Sequence, residues 1–337
     1  MIKKLCDNHF RKELVSAIQT NSPEYTLPKK MPVLYKFSGF SKYSVENIIN
    51  NGFSLSLISS FNDSYDSKLS FGDLKMHAIE ESLTDIMFAI NTGCEPYITQ
   101  HEWLSHLIEE QTAYRSFLSA SYCVCFSEKT DSTLMWSHYS DNNRGICIAY
   151  DFEKIKTNPM YYSLLPVCYT DVPIDIYDFA HKKRGENSIE LGLLISLLNK
   201  SFDWHYENEW RMFLFNSPLS AKKSEKYLTL KNIVPIQGVI LGQNFIDNFI
   251  PELSNFKNEG KTAIELFESL VNHCKINKIP VYIMTSVQNC FEQKLKDISD
   301  IEVVLDFIKN EIENKTMTMQ YRESIYASLS KILNDCI

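Results

Sequence analysis

Hydrophobic positions along this chain change period repeatedly, and each change marks an element. Residues 1–20 predict a helix, and Ser22 to Pro32 a linker carrying Pro23, Pro28 and Pro32. Val33–Phe37 (VLYKF) predicts a short strand. Ser41 is placed to cap a helix running to about Asn50, and Gly52 to end it. Phe53–Phe61 (FSLSLISSF) alternates apolar and polar as a strand does, and Asn62-Asp63 breaks it with turn chemistry. Residues 73–118 predict two helical pieces divided near Gly93–Pro96.

The second half mixes the two periods. Strands are predicted at Ser121–Ser127, Gly145–Phe152, Pro166–Thr170, Tyr206–Phe215, Tyr227–Leu230, Ile236–Leu241 and Pro280–Met284. Helices are predicted at Thr133–Tyr139, at 175–200, at about 261–276, and through the text from 290 onward. Asp141–Gly145 reads as a turn. Strands interleaved irregularly with helices predict an α+β fold of mixed, mainly antiparallel sheets with peripheral helices and a helical C-terminal tail. The expected division is an N-terminal helix and linker over 1–31, an α+β catalytic-like core over 32–291, and a helical appendage over 292–337. No repeat, low-complexity tract or glycine-rich phosphate loop interrupts this pattern.

Composition narrows the function classes. Of the 337 residues, 44% are hydrophobic and 12% aromatic, enough for a core built on bulky side chains. No apolar run approaches the roughly 20 residues of a spanning helix, and the charged start MIKKLCDNHFRKEL lacks the apolar stretch of a secretion signal. The nine cysteines are odd in number and form no Cys-x-x-Cys pair, which fits buried thiols in a reducing cytoplasm. With a net charge of -8, the chain disfavours phosphate backbones. Its basic clusters, Lys182-Lys183-Arg184 and Lys222-Lys223, read as solvated. A small-molecule site or a protein target fits this charge better than nucleic acid.

Three segments carry candidate chemistry. In Trp204–Arg211 (WHYENEWR), a strand reading puts Glu207, Glu209 and Arg211 on one face. Two carboxylates on one face raise one pKa, an arrangement suited to acid–base or cation-stabilising work, while an edge strand with solvated charges is the plainer reading. In Phe61–Asp66 (FNDSYD), Asp63 and Asp66 either build a turn or hold a metal or a ribose hydroxyl. In Met135–Asp141 (MWSHYSD), His138 is a base, donor or ligand, or else a satisfied histidine at an aromatic helix end. No GxSxG elbow supports a serine hydrolase.

Taken in order, these pieces resemble a bacterial family, the domain-of-unknown-function family 2971. The matching motifs are Leu34-Tyr35-Lys36, Phe61 to Asp66, Cys125-Phe126-Ser127, Trp136 to Tyr139, Arg144 to Ile148, Tyr206 to Arg211, Val239 to Gly242, and Ile279 to Tyr282. They cover roughly residues 32–291, with Ser64 where the family has proline. The resemblance implies that Asp63, Asp66, Ser127, His138, Glu207, Glu209 and Arg211 converge on one cleft.

A more distant similarity, to ADP-ribosyltransferases, implies a reaction. Those enzymes use a basic residue beside an aromatic on an early strand, a serine or tyrosine on a middle strand, and a late Glu-x-Glu. The corresponding residues here are Tyr35-Lys36, Phe126-Ser127 and Glu207-Asn208-Glu209. NAD is then the expected substrate, with Glu209 stabilising the ribosyl cation, Glu207 orienting or deprotonating the acceptor, and Tyr139 stacking on nicotinamide. Lys36 departs from the usual Arg or His, whose hydrogen-bond geometry lysine does not reproduce. A toxin or phage-defence effector is the role this reading implies. The alternatives are a metal-dependent phosphodiesterase or nuclease using Asp63, Asp66, His138, Glu207 and Glu209, and a non-enzymatic sensor or partner-binding defence protein. Oligomer or partner contacts are expected through the C-terminal helices.

Overall fold

A computed structural model describes residues 31–61, 63, 66, 73–93, 100–119, 121–155, 157, 164–171, 197–214, 227–249, 262–286, 293–298 and 301–313. The predicted helix over 1–20, most of the proline linker, residues 175–196 of the predicted helix and the tail beyond 313 lie outside the described residues.

The fold is α+β. Twelve strands are described: β1 (Leu34–Ser38), β2 (Phe53–Leu57), β3 (Tyr122–Ser127), β4 (Ile146–Tyr150), β5 (Leu164–Pro166), β6 (Cys168–Thr170), β7 (Asn199–Ser201), β8 (Glu209–Leu214), β9 (Tyr227–Leu230), β10 (Ile236–Leu241), β11 (Val281–Ser286) and β12 (Gln293–Asp297). The helices are α1 (Lys42–Ile49), α2 (Leu74–Thr92), α3 (Gln100–Ser119), α4 (Thr133–Tyr139), α5 (Ala263–Asn277) and α6 (Ile301–Glu313). Among the described residues no helix is long and apolar enough to cross a membrane.

The main sheet is organised around β3. One edge of β3 pairs with β8 over its whole length, from Tyr122↔Leu214 to Ser127↔Glu209, and β5 continues beyond β8. The opposite edge is shared. Ser127 pairs with Tyr35 of β1, whereas Tyr122 and Cys123 pair with Leu57 and Ser56 of β2. Two arms therefore leave that edge, one through β1, β4, β10, β11 and β12, the other through β2 and β9. The sheet splits between them, beside Val124, Cys125 and Phe126. All pairings in it are antiparallel except β10–β11, and α5 supplies the crossover that a parallel pair needs.

One sheet face carries the larger core. Leu34, Val124, Phe126, Tyr150, Trp210 and Met212 pack there with Phe267 and Leu270 of α5 and Val304 and Ile308 of α6. Phe53, Phe126 and Tyr150 meet edge to face, with ring centroids 5.5–6.0 Å apart. Behind the sheet, Phe37, Met135, Trp136, Cys147 and Ile240 form one smaller cluster, and Ile58, Cys123, Leu197, Leu198 and Phe213 another.

Several local expectations change. Ser41 caps α1 through a capping box with Ser44, but the left-handed residue that turns the chain afterwards is Asn51 (φ 46°), not Gly52. Gly52 is required by a neighbour: a Cβ there would sit 1.9 Å from the Leu230 carbonyl oxygen. Of the strand expected over Phe53–Phe61, Ile58–Ser60 forms a 3-10 turn. Gln293–Asp297, within text read as helical, is a strand that pairs with β11 and extends the sheet.

The largest correction falls on Tyr206–Phe215. Phe202–Glu207 is a 3-10 helix capped by Ser201, Asn208 is left-handed (φ 43°), and β8 begins only at Glu209. Asparagine tolerates that conformation because its short polar side chain bonds locally, here to the Tyr206 carbonyl at 3.1 Å.

Candidate active site

Alternation on β8 sends Trp210 and Met212 into the main core and leaves Glu209 and Arg211 on the opposite face. Both charged side chains are nonetheless fully enclosed, with Arg211 0% and Glu209 3% exposed. Glu207 reaches the same place from the end of its 3-10 helix and not from the strand. Ser127 holds that helix end by donating from its hydroxyl to the Glu207 carbonyl at 2.6 Å. The Glu209 backbone N–H donates to the Tyr169 hydroxyl at 2.9 Å, tying β8 to β6.

Lys200 is the hub. Its ammonium donates to Glu207 Oε2 at 2.5 Å and to Glu209 Oε2 at 3.0 Å, and lies 3.5 Å from Asp66 Oδ2. Arg211 completes the cluster, donating from Nε to Glu209 Oε1 at 2.8 Å and from Nη2 to Asp66 Oδ2 at 2.7 Å. Its Nη1 donates to the Leu197 carbonyl at 2.7 Å. Tyr139 donates its hydroxyl to Glu207 Oε1 at 2.7 Å.

Three carboxyls and two cations leave one negative charge in excess if all are ionised. Protonating Glu207 removes it. Burial, and then the charge of Glu209, push the Glu207 carboxyl up to about 7, against the opposing pull of Lys200 and Tyr139. Burial alone would raise Glu209 too, but Arg211 and Lys200 outweigh it and hold that carboxyl well below the ordinary range. Burial would lower Lys200, and Glu209 and Glu207 overcome this and keep it charged. Two carboxyls on one ammonium thus take different protonation states near neutrality, the pattern that separates an acid–base group from an electrostatic one.

This cluster forms one wall of a cleft of about 390 Å³ at the split in the sheet. Glu207, Glu209, Lys200, Asp66 and Tyr139 line it together with Tyr35, Lys36 and Phe37 of β1, residues 123–127 of β3, Phe61 and Tyr227. Lys36 is half-buried, and among the described residues no ion pair or hydrogen bond engages it. Burial lowers its pKa. Cys125 lines the floor and hydrogen-bonds Glu209; its contact with Cys123, and then burial, hold it as a thiol.

Of the residues singled out in the sequence, Tyr35, Lys36, Asp66, Ser127, Tyr139, Glu207 and Glu209 line this cleft. Arg211 lies directly behind its wall. Asp63 and His138 do not line it. Asp63 accepts the Asp66 N–H through its carbonyl at 3.2 Å, as a turn residue does. His138 is exposed on the outer side of α4, where Tyr206 Oη is 3.3 Å from its Nδ1 and the Trp204 ring packs beside it. Lys200 is not among the residues that the sequence motifs single out. A pointer to it existed: two enclosed carboxylates need more than Arg211, and Lys200 is the nearest cation upstream. Among the described residues no group of three or more His, Cys, Asp or Glu side chains is arranged to hold a metal ion. Asp66, Glu207 and Glu209 turn instead toward Lys200 and Arg211.

The fold and site define an α+β protein with a buried charge cluster opening on a split in its central sheet. Residues 135–212, which span α4 through most of β8, match the model of a family described as Protein of unknown function (DUF2971), the family to which the sequence motifs pointed. No curated protein and no solved structure matches the chain.

Proposed function

We propose that the cleft is the active site of a transferase that breaks the bond between a ribose and a nitrogen leaving group, with NAD as the ribosyl donor. The observation that carries this reading is the pair Glu207–Glu209 on one lysine, one carboxyl ionised and the other titrating near neutrality, on the wall of an aromatic cleft. Cleaving a ribosyl–nitrogen bond builds positive charge on the sugar, as glycoside cleavage does. A carboxylate fixed in advance beside that charge stabilises the transition state more than the ground state. Glu209, clamped by Arg211 and Lys200, suits that role.

The step balances as a substitution at the ribose C1′. The C1′–N bond to nicotinamide breaks, and its electron pair leaves with the neutral pyridine. The acceptor, water or a protein side chain, donates a lone pair to C1′ and loses its proton to Glu207. A base titrating near 7 is matched to that transfer at cellular pH. Lys36, which among the described residues has no ion-pair or hydrogen-bond partner, suits a phosphate of the donor, and Tyr35, Phe61 and Tyr139 offer faces for flat rings. A cleft of about 390 Å³ takes a ligand of nucleoside size.

The test is nicotinamide release from NAD by the purified full chain and by Glu207→Gln, an isosteric change that leaves the Lys200 contact able to form. Release by the wild type, reduced on the order of 100-fold or more in the variant, is the expected result. Equal release by both, or none above a blank, removes this reading.

A further inference from the structure

α2 presents a second surface, and none of its residues lines the cleft. It packs on α3, with Ala78, Ser82 and Ala89 buried along one face and His77 buried on another. On its outer side the exposed apolar residues, Phe88 excepted, fall into register. Met76, Leu83 and Ile90 are spaced by seven, and Ile79 and Ile86 lie three residues after the first two. At about 100° per residue these five, with Met87, fill a continuous stripe roughly 100° wide. Met76, Leu83, Ile86, Met87 and Ile90 are exposed, Ile90 to 71%. Apolar residues scattered singly over a surface need no explanation, but a continuous stripe of this kind marks an interaction site.

The spacing states what fits it. Apolar residues at the first and fourth positions of two successive heptads form the seam of a helix that packs knobs-into-holes on another helix. Lys75 and Glu80 flank the stripe, both exposed, at the positions that exchange ion pairs in a parallel pair. In a two-fold parallel arrangement Lys75 of each copy meets Glu80 of the other, so the charge pattern is complementary to itself. Two α2–α3 hairpins joined along this seam make a four-helix bundle, a closed arrangement that leaves neither stripe in water.

We infer that α2 is a homodimerisation helix, and that its Met76–Ile90 stripe packs in parallel on the same stripe of a second copy of this chain.

Light scattering or sedimentation equilibrium on the full chain at about 5–100 µM tests this. The expected result is the mass of a dimer. The double substitution Leu83→Glu with Ile86→Glu touches only exposed side chains, and it should weaken association by roughly 100-fold or more while leaving the circular dichroism spectrum unchanged. A second measurement does not depend on those variants. Under oxidation Met76→Cys should give a covalent dimer above the wild-type background, and Thr84→Cys, outside the stripe, should not. A monomeric wild type overturns the inference, whether the stripe is then covered by another part of the chain or by a different protein. A dimer that survives the double substitution, without a Met76→Cys cross-link, overturns it equally.

Discussion

The two faces of β8 are equally dry and chemically opposite. Trp210 and Met212 are fully buried among apolar neighbours. One residue to either side, Glu209 and Arg211 are buried to the same degree among charges. The apolar face follows from the hydrophobic effect alone, which rewards area removed from water. The charged face works against that effect, since enclosing an ion costs several kcal/mol that its partner only partly offsets. A face that gains so little for the fold fits chemistry better than architecture.

Breaking the charged face should cost most. Arg211→Leu leaves Glu209 and Asp66 enclosed without their guanidinium, and should destabilise the protein by about 3–5 kcal/mol in denaturant unfolding. Replacing both partners, Arg211→Leu with Glu209→Leu, should recover much of that loss while abolishing nicotinamide release. If the double variant is no more stable than the single one, the charges are not a mutually compensating set.

Met212→Ala probes the opposite face. It should cost about 2–5 kcal/mol through lost contacts and a residual cavity. Below its melting range the variant should keep wild-type turnover. A selective loss of turnover there would show that the two faces are not separable.

The next effect is set by pH. The folded state holds a proton on Glu207 up to about 7, against an ordinary carboxyl value of 4.5. Between those values the native state binds more protons than the unfolded chain, so stability must fall as pH rises. This contribution is fully present below about 4.5 and lost through about 7, a span worth about 3 kcal/mol. Glu209 acts in the opposite sense and at lower pH, since its depressed carboxyl loses its stabilising charge only in acid. Unfolding free energies measured from about pH 5 to 8 should therefore decline for the wild type and stay nearly flat for Glu207→Gln.

The smallest effect belongs to Tyr139. Its hydroxyl donates to Glu207 and helps hold that carboxyl down. Tyr139→Phe should cost about 1 kcal/mol and move the Glu207 titration upward, as read by NMR of the labelled carboxyl. A downward movement would contradict the assigned hydrogen bond.

The sequence made some of this legible and hid the rest for physical reasons. Alternation in EWRMFL identifies β8 and places Glu209 with Arg211, because a strand's period is local. A strand reading puts Glu207 in the right cluster for the wrong reason. It arrives on a 3-10 helix, and the left-handed Asn208 that separates it from the strand breaks the alternation. Lys200 was hidden because its role depends on β6 and β7 pairing beside the 3-10 helix, which no local pattern records. The split between β1 and β2 on one edge of β3 is likewise a product of long-range pairing. His138 illustrates the converse: a reactive side chain within a matching motif, yet not part of the cleft lining.

The most direct measurement is the pH profile of nicotinamide release from NAD, for wild type and Glu207→Gln side by side. If Glu207 takes the acceptor's proton, the wild-type rate should rise through a midpoint near the carboxyl's value of about 7, and the variant should be slow and lack that midpoint. A wild type that releases no nicotinamide at any pH, or a variant that keeps the same profile, would contradict the assignment of this cleft to ribosyl transfer.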